Sequence, residues 1–302
     1  MIRLGGTIMH FTGTIWRPPY EAWSALIQVT AGCTHHKCKF CTLYEDVPFP
    51  FRMSPMEEIE MDLQEIYQFM PDVTRLFLTG ANPFVLSVDK LKTIAYLAKQ
   101  YLQRLHSIGC FARITDITTK SIEELKALRA VGYDQITIGV ETGDDDALDF
   151  MHKGYHSHDI LEQCHKLDAA NITYHFFYLT GMAGKGKSTE SVWKTVSIFN
   201  QLHPKIVGAS MLTVYPSSAL YKEIQLGNWQ EESEIEKLKE LRLFIDKLEI
   251  RTHFAALGAS NLFKLQGNLP SEKEKLLNEM DYILANFEET ELRAYRVNLK
   301  HL

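Results

Sequence analysis

Residues 25–41 read ALIQVTAGCTHHKCKFC: an apolar run, Ala25–Thr30, leads straight into a loop carrying Cys33, Cys38 and Cys41. An unbroken apolar segment of this length suits a strand buried on both faces, as in a parallel sheet. Five further runs of the same kind follow, at Arg75–Thr79, Cys110–Ile114, Gln135–Val140, Tyr174–Leu179 and Val207–Leu212. Helix signals lie between them. Ser54-Pro55-Met56-Glu57 and Ser121-Ile122-Glu123-Glu124 have the serine-to-glutamate spacing of a capping box, which satisfies two helix-end N–H groups reciprocally. Leu91, Ile94, Leu97, Leu102 and Leu105 give one helix a core-facing stripe; Leu125, Leu128 and Val131 give another, ended by Gly132. Six such strand–helix units predict an α/β fold, a partial (β/α)6 TIM-like barrel over residues 25–221.

The flanks differ in character. Residues 1–24 show no clear element and read as an N-terminal extension. Beyond Tyr221, two charged helical patterns appear, Ile235, Leu238, Leu241, Ile245 and Leu248, then Leu276, Leu277, Met280, Ile283 and Phe287. Residues 222–302 therefore read as a helical C-terminal appendage that closes the barrel. Within it, the small-residue stretch Arg251–Asn261 reads either as an edge strand and turn or as a cover over the barrel mouth, using His253, Ser260 and Asn261.

Composition narrows the function. With 302 residues, 45% hydrophobic, the chain can bury a large core. A net charge of −6 gives no general footprint for nucleic acid. The longest apolar runs fall short of a membrane span and the N-terminus lacks a basic-then-apolar signal, so a cytoplasmic protein is expected. Five cysteines, three of them crowded into nine residues, do not resemble a disulfide framework and fit a reducing compartment. Cys110 and Cys164 fall within predicted elements and read as core.

Three thiolates in one tight loop suit a single soft-metal centre. A structural zinc site ordinarily has four protein ligands, which His35 or His36 would complete; an iron–sulfur cluster held by three leaves one iron open to a small molecule. The loop resembles that of the radical SAM superfamily, with three cysteines and an aromatic residue, Phe40, before the third. The spacing here is CX4CX2C, one residue longer than the common CX3CX2C.

The resemblance extends from about Ala25 to Tyr221, and its other motifs fall at successive strand ends, where barrel enzymes carry their active sites. Thr79-Gly80-Ala81-Asn82-Pro83 is similar to the family's Gly-Gly-Glu segment, whose backbone binds the amino end of S-adenosylmethionine (SAM), although Asn-Pro also suits a plain turn. Arg113 suits a SAM or substrate carboxylate, or a structural ion pair. Gly139-Val140-Glu141-Thr142-Gly143 and Met151-His152-Lys153-Gly154 resemble the branch that includes oxygen-independent coproporphyrinogen oxidase and the methylthiotransferases. The resemblance implies that Glu141 contacts the ribose or amino group of SAM, and Lys153 its carboxylate. Gly181-Met182-Ala183-Gly184 and Val214-Tyr215-Pro216 resemble further turns of that branch, which would set Leu179 and Leu212 along the adenine. That branch has an acidic residue where this chain has Phe177, so its porphyrin substrate is not implied.

The resemblance therefore implies an enzyme with one [4Fe–4S] cluster on Cys33, Cys38 and Cys41. It cleaves SAM to methionine and a 5′-deoxyadenosyl radical, which abstracts hydrogen from an unidentified small-molecule substrate. A flavodoxin- or ferredoxin-type reductant and oxygen sensitivity are implied with it. Two rival readings stand beside it: a zinc-stabilised binding protein, and a P-loop nucleotide hydrolase. The latter rests on Gly181–Ser188, GMAGKGKS, which matches the phosphate-cradling GxxxxGK[ST] between a predicted strand and a helix.

Overall fold

The computed structural model describes residues 3–4 and 7–299. Two compact units form. One comprises Met1–His36, Leu43–Ile138 and Lys166–Thr173; the other comprises Lys37–Thr42, Gly139–His165 and Tyr174–Leu302.

The first unit opens with a short antiparallel hairpin, β1 (Arg3–Leu4) and β2 (Thr7–Ile8). β3 (Ala25–Gln28) then begins a parallel sheet. At Val29 the chain leaves that sheet, and β4 (Thr30–Gly32) pairs antiparallel with β5 (Phe51–Met53), so the run expected as one strand is two. There follow α1 (Met56–Phe69), β6 (Arg75–Thr79), α2 (Val88–Tyr101), β7 (Ser107–Ala112), α3 (Ile114–Thr118), α4 (Ile122–Ala130) and the start of β8 (Tyr133–Glu141). β3, β6, β7 and β8 lie in that order, all parallel, with Leu26 opposite Phe77 and Cys110 opposite Ile136. Ile27, Leu76, Leu78, Ile108, Cys110 and Ile136 are fully buried, as are Leu91, Ile94, Leu125 and Leu128 from the two helical stripes. Each aliphatic side chain so buried contributes roughly 1.5–3 kcal/mol.

Two local expectations fail for identifiable reasons. Ser54 does not cap α1, because its N–H stays on the Val29 carbonyl at 2.9 Å and Pro55 takes the cap position. The third strand begins earlier than its apolar run, where Ser107 and Ile108 pair with Arg75 and Leu76, and it ends earlier because the Asp116 carboxylate accepts the Arg113 N–H at 2.8 Å and starts a helix at Ile114. The box at Ser121 forms as expected, with Glu124 bonded reciprocally. Part of the N-terminal extension packs firmly here: buried Glu21 pairs with Arg75, and the Trp16 carbonyl accepts from Thr79 Oγ1 at 2.7 Å.

The second unit holds the end of β8, α5 (Asp145–Phe150), most of α6 (Ser157–Ala169) and β9 (Thr173–Thr180). It continues through α7 (Ser188–Phe199), β10 (Ile206–Met211), α8 (Ala219–Gln225) and α9 (Glu234–Lys247). β11 (Thr252–Ala256), β12 (Leu265–Leu269), α10 (Lys273–Asn286) and α11 (Glu289–Asn298) complete it. β9, β10 and β11 are parallel and β12 returns antiparallel on β11. The stretch expected as an edge strand is therefore flanked on both sides, and β12, with Gln266 and Asn268 exposed, takes the edge. His253 sits at the start of β11, its Nδ1 3.0 Å from Asn268 Oδ1, away from the strand's C-terminal end where a mouth cover would be needed.

Phe244 of α9 stacks on Tyr178 of β9 at 4.0 Å. Arg296 of α11, buried, reaches Glu234 at 3.0 Å and Thr213 Oγ1 at 2.8 Å. Removing one partner from such a buried pair costs about 3–5 kcal/mol. No helix among the described residues is long and apolar enough to cross a membrane.

Candidate active site

In the first unit the site is built around Cys33. Its N–H donates to the Pro50 carbonyl at 2.7 Å, which ends the β4–β5 ribbon and turns the chain into the cysteine loop. The next residue, Thr34, is gripped by Asn82: the Thr34 N–H donates to Asn82 Oδ1 at 3.3 Å, and Asn82 Nδ2 donates to Thr34 Oγ1 at 2.7 Å and to Asp116 Oδ1 at 3.1 Å. Asn82 is fully buried, so it is more than a turn residue; it brackets the loop against the start of α3. Burial pushes the Asp116 carboxyl up to about 6, although hydrogen bonds from the Arg113 N–H and Asn82 favour its ionised form. Gly80 has φ +128°, and a Cβ there would lie 2.2 Å from Thr30 Oγ1, so backbone conformation and close packing both require glycine. Ala81 is half-buried beside it. Arg113 caps α3, its guanidinium 3.0 Å from Thr115 Oγ1.

In the second unit the Cys38–Cys41 turn closes by the Cys41 N–H on the Cys38 carbonyl at 3.1 Å. Lys39, between them, is fixed from two sides. Its N–H donates to the Met151 carbonyl at 3.1 Å, and its carbonyl accepts from the Leu220 N–H at 2.7 Å. Its ammonium pairs with Glu223 at 2.8 Å and lies 4.0 Å from the centre of the Phe150 ring. Phe40 and Leu179 pack on a buried apolar cluster containing Leu212, Met151, Met182 and Trp229. Three of the sequence-predicted contacts, Phe40, Leu179 and Leu212, thus share one apolar surface.

Lys153 joins that surface to the end of β8. Almost fully buried, it stands 3.4 Å from the Glu141 carboxylate, 3.0 Å from the Gly139 carbonyl and 5.7 Å from the Phe40 ring centre. Glu141 adopts φ 68°, a left-handed conformation costing a residue other than glycine about 1–3 kcal/mol. A Cβ at Gly139 would meet the Glu141 carboxylate at 2.7 Å, so the glycine makes room for the acid. Strain, space and a desolvated cation are thus directed at one carboxylate.

The GMAGKGKS turn is arranged differently. The N–H groups of Gly181 and Gly186 donate to Glu240 and Glu232 at 2.9 and 2.8 Å, and that of Lys185 to the Gln230 carbonyl at 2.9 Å. Ser188 Oγ also lies on Glu232, at 3.4 Å. Three of the N–H groups that a phosphate would need are thus already bonded within the protein, two of them to carboxylates, which argues against the nucleotide-hydrolase reading. Burial raises the Glu240 carboxyl to about 7.

A family model described as the radical SAM superfamily matches residues 27–198. The chain belongs to the radical SAM superfamily. With membership come the superfamily's cofactors, a [4Fe–4S] cluster and SAM, in place of zinc. Heme chaperone HemW of Bacillus subtilis (strain 168) is 23% identical over 224 residues, covering 72% of this chain and 58% of that protein. The chain thus spans less than two thirds of the curated relative's length. Among solved structures, coproporphyrinogen III oxidase (HemN) from Escherichia coli has a TM-score of 0.57 at 16% identity, covering 74% of this chain and 52% of that one. Methylornithine synthase (PylB) has a TM-score of 0.52 at 14% identity, covering 90% and 85%. The radical SAM methyltransferase TsrM from Kitasatospora setae, solved with cobalamin and a [4Fe–4S] cluster, has a TM-score of 0.55 at 17% identity, covering 68% and 39%. These likenesses identify the α/β fold as that of radical SAM TIM-like barrels.

Asp116, Glu223 and Tyr155, whose hydroxyl donates to the Gly139 carbonyl at 2.9 Å, support the radical SAM motifs although no motif in the sequence points to them, and Thr34 and Lys39 lie in the cysteine loop without a residue-type signal of their own. Asp116 supplies only the half of a capping box that accepts the N-cap N–H, and Arg113 at the N-cap has no side-chain acceptor, so the spacing alone does not reveal it. Glu223 has no comparable local signal.

Proposed function

We propose that the chain is an enzyme in which Cys33, Cys38 and Cys41 hold one [4Fe–4S] cluster and the surrounding strand ends bind SAM. The donor set fits: three soft thiolates on one loop, Cys33 and Cys38 half-buried and Cys41 exposed, whereas Cys110 and Cys164 are core. When bound and reduced by a flavodoxin- or ferredoxin-type donor, the cluster would supply the electron that splits SAM into methionine and a 5′-deoxyadenosyl radical, which takes hydrogen from a small-molecule substrate. The chain's residues bind, orient and exclude water. Glu141 accepts from the ribose or amino group of SAM, and Lys153 holds both the Glu141 carboxylate and the SAM carboxylate. Gly80, Ala81 and Asn82 present backbone at the amino end, Arg113 adds a cation for a carboxylate, and Phe40, Leu179 and Leu212 line the adenine. An oxygen-sensitive cluster and cysteines that do not form a disulfide framework support a cytoplasmic location.

The observation that carries this reading is Glu141, held in a strained conformation with its carboxylate against a buried lysine at a strand end. The test is anaerobic purification, reconstitution with iron and sulfide, and product analysis after adding SAM and dithionite. Deoxyadenosine forms with the intact chain and not with a variant carrying alanine at Cys33, Cys38 and Cys41. A colourless protein that takes up only zinc, or a loaded cluster that leaves SAM intact, overturns the reading.

The match to a heme chaperone favours one second reading, heme handling in place of substrate turnover. Hemin titration of the reconstituted protein decides it: a saturable, stoichiometric Soret shift without SAM turnover supports heme handling.

A further inference from the structure

Twelve residues beyond Glu141 the chain passes Lys153 and then reads Tyr155-His156-Ser157-His158-Asp159, at the start of α6. The donor atoms of His156, His158 and Asp159 all lie within 4.8 Å of one another. The two imidazole rings are nearly parallel, 13° apart, with centres 5.9 Å apart. His158 Nε2 is 3.3 Å from Asp159 Oδ1. Asp149 Oδ1 stands 2.8 Å from His156 Nε2, the carboxylate–histidine contact that fixes ring orientation in metal sites.

The backbone carrying these groups is held on every side. Asp159 Oδ2 accepts the His156 N–H at 2.8 Å, leaving Oδ1 on the histidine side. Asp145 accepts the Ser157 N–H at 2.6 Å and its hydroxyl at 3.1 Å, and Tyr155 OH donates to the Gly139 carbonyl at 2.9 Å. These bonds fix the backbone, so the two imidazoles and the carboxylate start from neighbouring anchored positions, and only side-chain rotamers are left to settle on binding an ion.

We propose that His156, His158 and Asp159 bind a divalent transition-metal ion of the zinc class, with Asp149 orienting His156. Two imidazoles, which are borderline donors, together with one harder carboxylate suit zinc, nickel, cobalt or copper rather than calcium or magnesium, and three protein ligands leave room for water. The donors come from residues other than the cysteines, so the site stands whether or not the proposed SAM chemistry does.

The test uses the full chain, cluster-reconstituted under anaerobic conditions so that the cysteines are occupied, and titrated with Zn2+ against a chromophoric chelator. One further equivalent binds. His158→Ala, at an exposed position that leaves folding intact, abolishes it, and Asp149→Asn weakens it about 10-fold or more. Co2+ at the same site gives visible bands without the near-ultraviolet thiolate charge transfer that cysteine ligation produces. No equivalent beyond the cluster, an equivalent that survives His158→Ala with unchanged affinity, or a thiolate signature overturns the proposal.

Discussion

Two glycine-bearing turns leave the ends of successive strands in the second unit, and they have opposite characters. The turn after β9 matches a nucleotide-binding motif residue by residue, yet its N–H groups on Gly181, Lys185 and Gly186 are already taken by Glu240, Gln230 and Glu232. The turn after β8 matches no phosphate motif, yet there Glu141 is held in left-handed backbone with Lys153 beneath its carboxylate. Spacing identifies where glycines permit a tight turn; it does not reveal whether the exposed backbone groups remain available. Availability depends on residues some 44–59 positions away, such as the acids on and just before α9.

The largest test of this contrast is the pH dependence of the satisfied turn. Burial raises Glu240 from 4.5 to about 7, and Tyr178 OH and the Gly181 N–H donate to it. Below pH 4.5 both folded and unfolded chains hold the proton; between 4.5 and about 7 only the folded chain does. Raising pH through that window therefore favours unfolding, by up to ~3 kcal/mol at a cost of about 1.36 kcal/mol per unit. Urea midpoints at pH 5 and pH 8 should show this loss, and Glu240→Gln, which removes the ionisation, should remove most of it, leaving the smaller part that Asp116, raised to about 6, contributes. An unchanged slope in the variant would mean that another group governs the turn.

The next effect belongs to the open turn. Glu141→Ala removes the carboxylate that Lys153 holds, and hydrogen bonds to charged groups contribute up to ~3 kcal/mol, so deoxyadenosine formation should fall roughly 100-fold. The fall should come without loss of cluster absorbance, because Glu141 is not among the proposed iron ligands. If cluster content falls in parallel, Glu141 is a structural acid and the contrast between the turns collapses.

Asn82 gives a smaller effect and a calibration in the first unit. It is as buried as Glu240 and as fully bonded, but it brackets Thr34 next to Cys33. Asn82→Ala leaves Asp116 and Thr34 short of partners and should cost about 1–2 kcal/mol in urea unfolding. Cluster reconstitution followed by absorbance should also slow, since the loop loses its anchor. Normal reconstitution with lowered stability would confine Asn82 to the scaffold.

The parallel core was readable because period and apolarity are local properties. The strand at Arg75–Thr79 and the stripe through Leu91 and Ile94 needed no information from distant residues. The β11–β12 pairing was not readable: Leu265–Leu269 is a short alternating run broken by Gly267, and its strand character comes from pairing with β11. The site divides in the same way. Cysteine spacing and glycine turns are printed in the chain, whereas the clamp of Lys39 by Glu223, and of Asn82 by Asp116, joins residues with no sequence rule between them. Ser54 shows the converse, a correct local signal overridden by its bond to Val29.

The smallest expected effect sharpens the comparison most cheaply. Lys187 occupies the lysine position of the phosphate motif, but it is exposed, and the turn's carboxylates face the N–H groups it would have to share with a nucleotide. Lys187→Ala should therefore change stability by less than ~0.5 kcal/mol and leave deoxyadenosine formation within about twofold, as surface substitutions do. Glu232→Gln weakens the acceptor on Gly186 without emptying the turn, so it should not create nucleotide binding either. Fluorescent ATP analogues titrated against the intact chain and both variants give the measurement. Saturable binding to the intact chain, lost in Lys187→Ala, would show that a nucleotide can displace the carboxylates, and the satisfied turn would then be a second ligand site.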